Sequence, residues 1–151
     1  MTTEEGLKTF FAPGAHVELK VDGAFEILFS PEAKPGQRGA EGMRILGLEP
    51  MRRFAFTWNA PPSIPDIRGQ RTVVILEFEP VGADRTRVGF TQMGWGCGPS
   101  WDKAFDYFDQ AWSAIVLPRF RYAMEVGPLD FGNVPKLKPV VGTMKTALTR
   151  E

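Results

Sequence analysis

Few residues in this chain are able to do chemistry, and they do not gather in the sequence. There is one histidine, His16, and one cysteine, Cys97. A Ser-His-Asp relay, a histidine pair or a zinc site would each need partners that these two cannot supply. His16 lies in an alternating stretch on the side opposite Val17 and Leu19, so it is expected to face solvent. Cys97 precedes a helical stretch, and a helix N-terminus can lower a thiol pKa. With no histidine to act beside it, it reads as an ordinary thiol in a turn. The glycines of Gly94-Trp95-Gly96-Cys97-Gly98 have neither the Gly-Lys-Ser/Thr ending nor the spacing of a nucleotide loop, and Ser113 and Thr57 have no recognisable base. Glu26, Asp66, Arg44, Arg53 and Arg68 are candidate charges for a cavity mouth, although such charges are usually solvated. No catalytic residue, metal site or cofactor motif is assigned.

Gln92 is the more informative polar residue. It follows Val88 and Phe90 at two-residue spacing, on what should be an inner face. A buried amide there needs a partner: a ligand, water or a neighbouring backbone group. The aromatic residues are the strongest signal of all. Phe25, Phe54, Phe56, Trp58, Phe78 and Phe90 fall on strand positions, and Trp101, Phe105, Phe108 and Trp112 on a helical stripe. Most such rings pack a core, but a curved sheet over one helix leaves space, and pockets of this kind are apolar with few polar anchors. The expected lining of an apolar cavity between sheet and helix is Phe25, Phe56, Trp58, Leu76, Phe90, Gln92, Phe105, Phe108 and Trp112.

The elements that must position these residues follow from periodicity. Val17, Leu19 and Val21 alternate with His16, Glu18 and Lys20, and after Asp22-Gly23 the alternation resumes at Phe25, Ile27 and Phe29, which predicts a β-hairpin. Gly42 to Leu48 pairs with Arg53 to Asn59 across Glu49-Pro50, and Gln70 to Glu79 pairs with Thr86 to Met93 across a turn at Gly82-Ala83-Asp84. About six strands joined in succession imply an antiparallel meander, because sequence neighbours tend to pair. Pro61, Pro62 and Pro65 force a loop between the second and third pairs. Beyond Gly98 the period changes. Ser100 is the candidate N-cap, Asp102 favours the first turn, and Trp101, Phe105, Phe108, Trp112, Ile115, Leu117 and Phe120 form a buried stripe. Pro118 should kink this helix near Ala114 to Leu117, and Val126-Gly127-Pro128 should end it. The fold class is α+β: a curved antiparallel sheet around a long C-terminal α-helix. Residues 1–131 are the expected domain and 132–151 an appended tail.

The 151 residues suit one domain, and 43% hydrophobic with 24% charged residues is an ordinary globular composition. Eighteen basic residues balance eighteen acidic ones, so no net field draws the chain to nucleic acid or an anionic membrane. Met1-Thr2-Thr3-Glu4-Glu5 lacks the basic and apolar regions of a signal peptide, and no apolar run nears the roughly 18 residues of a membrane span. Together with the single cysteine, this leads us to expect a cytoplasmic protein.

Several short motifs in order carry a resemblance: Glu5-Gly6-Leu7-Lys8-Thr9-Phe10-Phe11, a strand containing Phe56-Thr57-Trp58, Thr91-Gln92-Met93-Gly94-Trp95-Gly96, and the long aromatic helix. Over about Thr3 to Phe131 the chain resembles the START-like (SRPBCC) proteins, in the activator of heat-shock-ninety ATPase homologue-like, or polyketide-cyclase-like, branch. The resemblance implies a helix-grip fold with a ligand cavity between sheet and helix. It leads us to expect a binding module for a small hydrophobic or aromatic molecule. The alternatives are a cyclase- or hydrolase-type enzyme and a chaperone-interacting module. The resemblance also implies a first strand and short helix ahead of the segment matching Thr3 to Phe11, which are missing here. The sheet edge they would cover must then be met by the Val140 to Leu148 tail, by a second copy or by chain further upstream. Pro139 and Gly142 make the tail a mediocre strand, so a homodimer is expected.

Overall fold

The computed structural model describes residues 1–140. A short helix, α1 (Glu4–Lys8), is capped by Thr3, whose hydroxyl accepts the Gly6 N–H at 3.1 Å. Seven strands follow: β1 (Gly14–Val17), β2 (Phe25–Leu28), β3 (Gly39–Ala40), β4 (Ile45–Glu49), β5 (Arg53–Trp58), β6 (Thr72–Pro80) and β7 (Thr86–Met93). They form two antiparallel sheets, β1-β2-β3 and β4-β5-β6-β7. The sheets are stitched together where β2 begins: Phe25 N–H donates to Met43 O at 2.9 Å, and Ile45 N–H to Gly23 O at 2.9 Å. The expected meander is present, with the two-residue β3 added.

The first hairpin differs from expectation. Pairing stops at Val17 with Phe25, and Leu19 and Val21 are 52% and 65% exposed although their alternation continues. Asp22-Gly23 does not close a two-residue turn. Asp22 adopts φ 63° and its N–H reaches Ile45 O at 2.8 Å, so the loop serves the junction between the sheets. Gly23 is required there, because a Cβ would meet Glu18 O at 2.1 Å.

The long helix comes in three pieces: α2 (Pro99–Gln110), a π-helical segment (Ala111–Val116) and α3 (Leu117–Glu125). Gly98, not Ser100, is its N-cap, because Pro99 fits the first helical position, where no N–H is needed. The Ser100 hydroxyl instead donates to Asp66, tying the helix to a single 3₁₀ turn at Pro65–Ile67. The kink expected ahead of Pro118 takes the form of the π segment, in which Leu117 N–H reaches back to Trp112 O. Its wider turn shifts the helical phase. Ile115 therefore lies 45% exposed, outside the predicted stripe, and Val116 is buried in its place.

The core runs from Leu7, Phe10 and Phe11 through Phe25, Ile27, Met43 and Ile45 to Phe54, Phe56, Val74 and Leu76, with Phe108, Trp112 and Val116 from the helix. Arg68 clamps the long loop between β5 and β6. Its guanidinium donates to Gly36 O (2.9 Å), Gly39 O (2.7 Å) and Ala60 O. Beyond α3, residues 129–140 fold back on the domain: Leu129 N–H donates to Thr9 O at 2.7 Å and Val140 N–H to Ser113 O at 2.8 Å. Val141, Met144 and Leu148, weighed above as a covering strand, lie outside the described residues.

Candidate functional site

The nine expected cavity residues come together as a packed, ring-on-ring core. Phe25 meets Phe56 at 4.4 Å between centroids and Phe54 at 5.1 Å; Phe56 meets Trp58 at 5.7 Å; Trp58 meets Trp112 at 5.6 Å; and Trp112 meets Phe90 at 4.6 Å. Leu76 is buried beside them. Phe105 and Phe108 continue the stripe beneath Trp95, at 5.2 and 6.1 Å. All nine are buried except Phe105, which is half-buried.

Gln92 finds its partners inside this core. With no exposed surface, it donates from Nε2 to Thr72 Oγ1 at 2.9 Å and accepts the Trp112 Nε1–H on Oε1 at 3.0 Å. The Thr72 hydroxyl in turn donates to Trp58 O at 3.4 Å. The three bonds form one continuous chain from the Trp112 N–H through Gln92 and Thr72 to the Trp58 carbonyl. Among the described residues no buried side-chain nitrogen or oxygen lacks a partner.

Open space lies further along the same sheet face. A groove of about 1200 Å³ runs between α3 and the ends of β5, β6 and β7. Leu48, Phe54, Phe78, Val88, Leu117, Phe120 and Met124 make its apolar surface, and Arg53, Arg85, Arg87 and Arg121 reach it, with Glu49, Asp84 and Glu125. None of the nine expected residues lines it; Phe54 and Phe78, from the wider aromatic set, do. The register explains the division. Val74 pairs with Gln92 and Leu76 with Phe90 under the helix, whereas Phe78 pairs with Val88 where the packing gives out. The sequence signal for this end was Leu117, Phe120 and Met124 continuing the helix past Pro118.

Of the five candidate charges only Arg53 borders the groove, and it is held 2.9 Å from Glu77. Glu26 accepts the Gly42 N–H, Asp66 takes the Ser100 hydroxyl, Arg44 reaches Asp22 O, and Arg68 is the loop clamp. Burial lowers the pKa of Arg68, and neighbouring Glu41 opposes that shift. Burial alone would raise the Glu41 pKa, but the Gly36 and Arg38 N–H groups and Arg68 bring it below the ordinary value. His16 faces solvent and lies 3.1 Å from Glu4. Glu4 is held below the usual carboxylate range, first by the Val17 N–H and then by His16. Cys97 is exposed. Among the described residues there is no metal-binding cluster and no helix long and apolar enough to cross a membrane.

A curved antiparallel meander gripping one broken C-terminal helix, with a groove at its open end, defines a START-like protein of the helix-grip kind. The chain belongs to the family described as activator of Hsp90 ATPase homolog 1-like protein, whose model matches residues 1–123. The family admits two roles, a START-like ligand-binding module or an Hsp90-ATPase-activator-like module. Comparison with curated proteins and with solved structures gave no match.

Proposed function

We propose that the chain is a small-molecule binding module whose ligand, hydrophobic or aromatic, lies against Phe54, Phe78, Val88 and Phe120 in the groove. The observation that carries this reading is the contrast along one sheet face. The ring cluster around Trp112 is closely packed and no buried side-chain polar atom in it lacks a partner, while the same face a few residues away leaves large apolar side chains beside open space. Apolar surface in a concave site favours an apolar ligand. A panel of neutral apolar compounds is expected to raise the melting temperature, since a ligand at about 100 times its Kd adds roughly 2.7 kcal/mol. Val88→Trp, which narrows the groove without touching the Trp112 cluster, should reduce the shift. Absence of a shift from every compound would end the reading.

The same reading includes a homodimer. β7 ends its sheet with Val88 and Met93 partly exposed, and a free strand edge is a template for another chain. Sedimentation at micromolar concentration should give a dimer; a monodisperse monomer contradicts it. The lone, exposed Cys97 suits the reducing cytoplasm. The family description favours a second reading, contact with a chaperone, for which co-purification is the check.

A further inference from the structure

The π segment leaves the Ser113 carbonyl without a helical donor. In an α-helix Ser113 O would accept from Leu117 N–H, but that group is turned to Trp112 O. In π geometry the donor would be residue 118, which is proline and has no N–H. The vacancy is filled from outside the helix: Val140 N–H donates to Ser113 O at 2.8 Å.

Three further contacts hold the chain leading to Val140. Leu129 is buried and bonded through its N–H to Thr9 O. Arg119, its pKa lowered by burial, stands 5.8 Å over the Phe131 ring. Val134, Pro135 and Leu137 border a shallow depression with Ile115 and Arg119. At the end of this run the Val140 side chain packs on the core and forms part of the groove wall beside Leu117 and Phe120.

We infer that residues 129–140 are a latched strap, that its latch is Val140 N–H on the carbonyl which Pro118 leaves vacant, and that releasing the latch opens the α3 side of the groove. The coupling to the groove rests on the binding reading above; the latch itself does not.

The test uses two variants that share only this bond. Pro118→Ala offers Ser113 O an in-helix donor, its own N–H in π geometry or that of Leu117 on return to α, and leaves Val140 intact. Val140→Pro removes the strap's N–H and leaves the helix intact. Trypsin cleavage after the exposed Lys136 reports how often the strap opens under native conditions. Both variants should be cut several-fold to about tenfold faster, the range expected for losing one hydrogen bond. Unchanged cleavage in both overturns the latch. The neutral dye N-phenylnaphthylamine, bound in the groove, should dissociate faster from both variants, and saturating dye should slow cleavage of the unmodified chain. Faster cleavage with an unchanged dye off-rate overturns the coupling and leaves the groove reading standing. A dye that binds neither the unmodified chain nor the variants overturns the groove reading and the coupling with it, while the cleavage rates still decide the latch.

Discussion

Trp112→Ala should destabilise the fold by about 3–5 kcal/mol, the range for truncating a fully packed aromatic residue. The indole is buried and touched by Phe11, Trp58 and Phe90, with centroids 5.6, 5.6 and 4.6 Å away. Its removal also strips Gln92 Oε1 of its donor, so an unsatisfied buried carbonyl adds to the cavity. The environment sets the expectation at the upper part of the range, because the Trp112 ring joins the sheet, the helix and the N-terminal Phe11 at once. Trp112→Phe separates the two contributions, since it keeps most of the ring volume and loses the N–H. Urea denaturation of both variants measures the difference, and a loss within error for the alanine variant would mean that the ring does not bridge these elements.

Gln92→Glu should produce a protein whose stability falls as pH rises. Protonated, the carboxylic acid can accept from Trp112 and donate to Thr72 as the amide does. Ionised, it can only accept, so the Thr72 hydroxyl must turn away from Trp58 O while a charge sits at a position with no solvent contact. Burial therefore raises the folded-state pKa above the unfolded value of about 4.3. Below that unfolded value the stability is close to that of the amide. It is then lost progressively until pH passes the raised folded pKa, at about 1.4 kcal/mol for each unit of the elevation. Melting temperature followed from pH 4 to pH 8, read against the unmodified chain, tests the sign. A flat difference would mean that water reaches the site.

The two predictions rest on features that were unequally legible in the sequence. Alternation placed Val88, Phe90 and Gln92 on one inner face and paired their strand with Gln70 to Glu79, and the observed β6–β7 ladder agrees, with Leu76 opposite Phe90 and Val74 opposite Gln92. Polarity flagged Gln92 as needing a partner, but a side chain's need does not name who meets it, and Thr72 and Trp112 are each 20 residues away in sequence. The first hairpin was over-extended because Leu19 and Val21 keep the period after the backbone has left the ladder. Periodicity records which side a residue faces, not whether a strand lies alongside. Ile115 was misplaced for a related reason. A fixed 3.6-residue period cannot anticipate the extra residue of a π turn, although Pro118 did mark where the helix would yield. The groove was the least legible feature, because Phe78 and Phe90 have the same pattern in the sequence. Only the path of α3 decides that one meets Trp112 and the other meets open space.

The aromatic packing also has an optical consequence. Trp58 and Trp112 stand 5.6 Å apart with their planes at 52°, and Trp95 and Trp101 stand 6.3 Å apart at 87°. Indoles this close and this skewed share their excited states, so the folded chain should carry exciton-split bands in its circular dichroism that no single tryptophan would give. One pair lies in the core across the sheet–helix interface. The other sits on the helix entrance beside Ile64 and Ile67. With Trp101 replaced by Phe only the first pair contributes, and loss of its signal would mark the helix parting from the sheet; with Trp58 replaced by Phe only the second contributes, and loss of its signal would mark the fraying of the helix's first turn. The chain thus contains two built-in chromophore pairs, each reporting on a different joint of the fold.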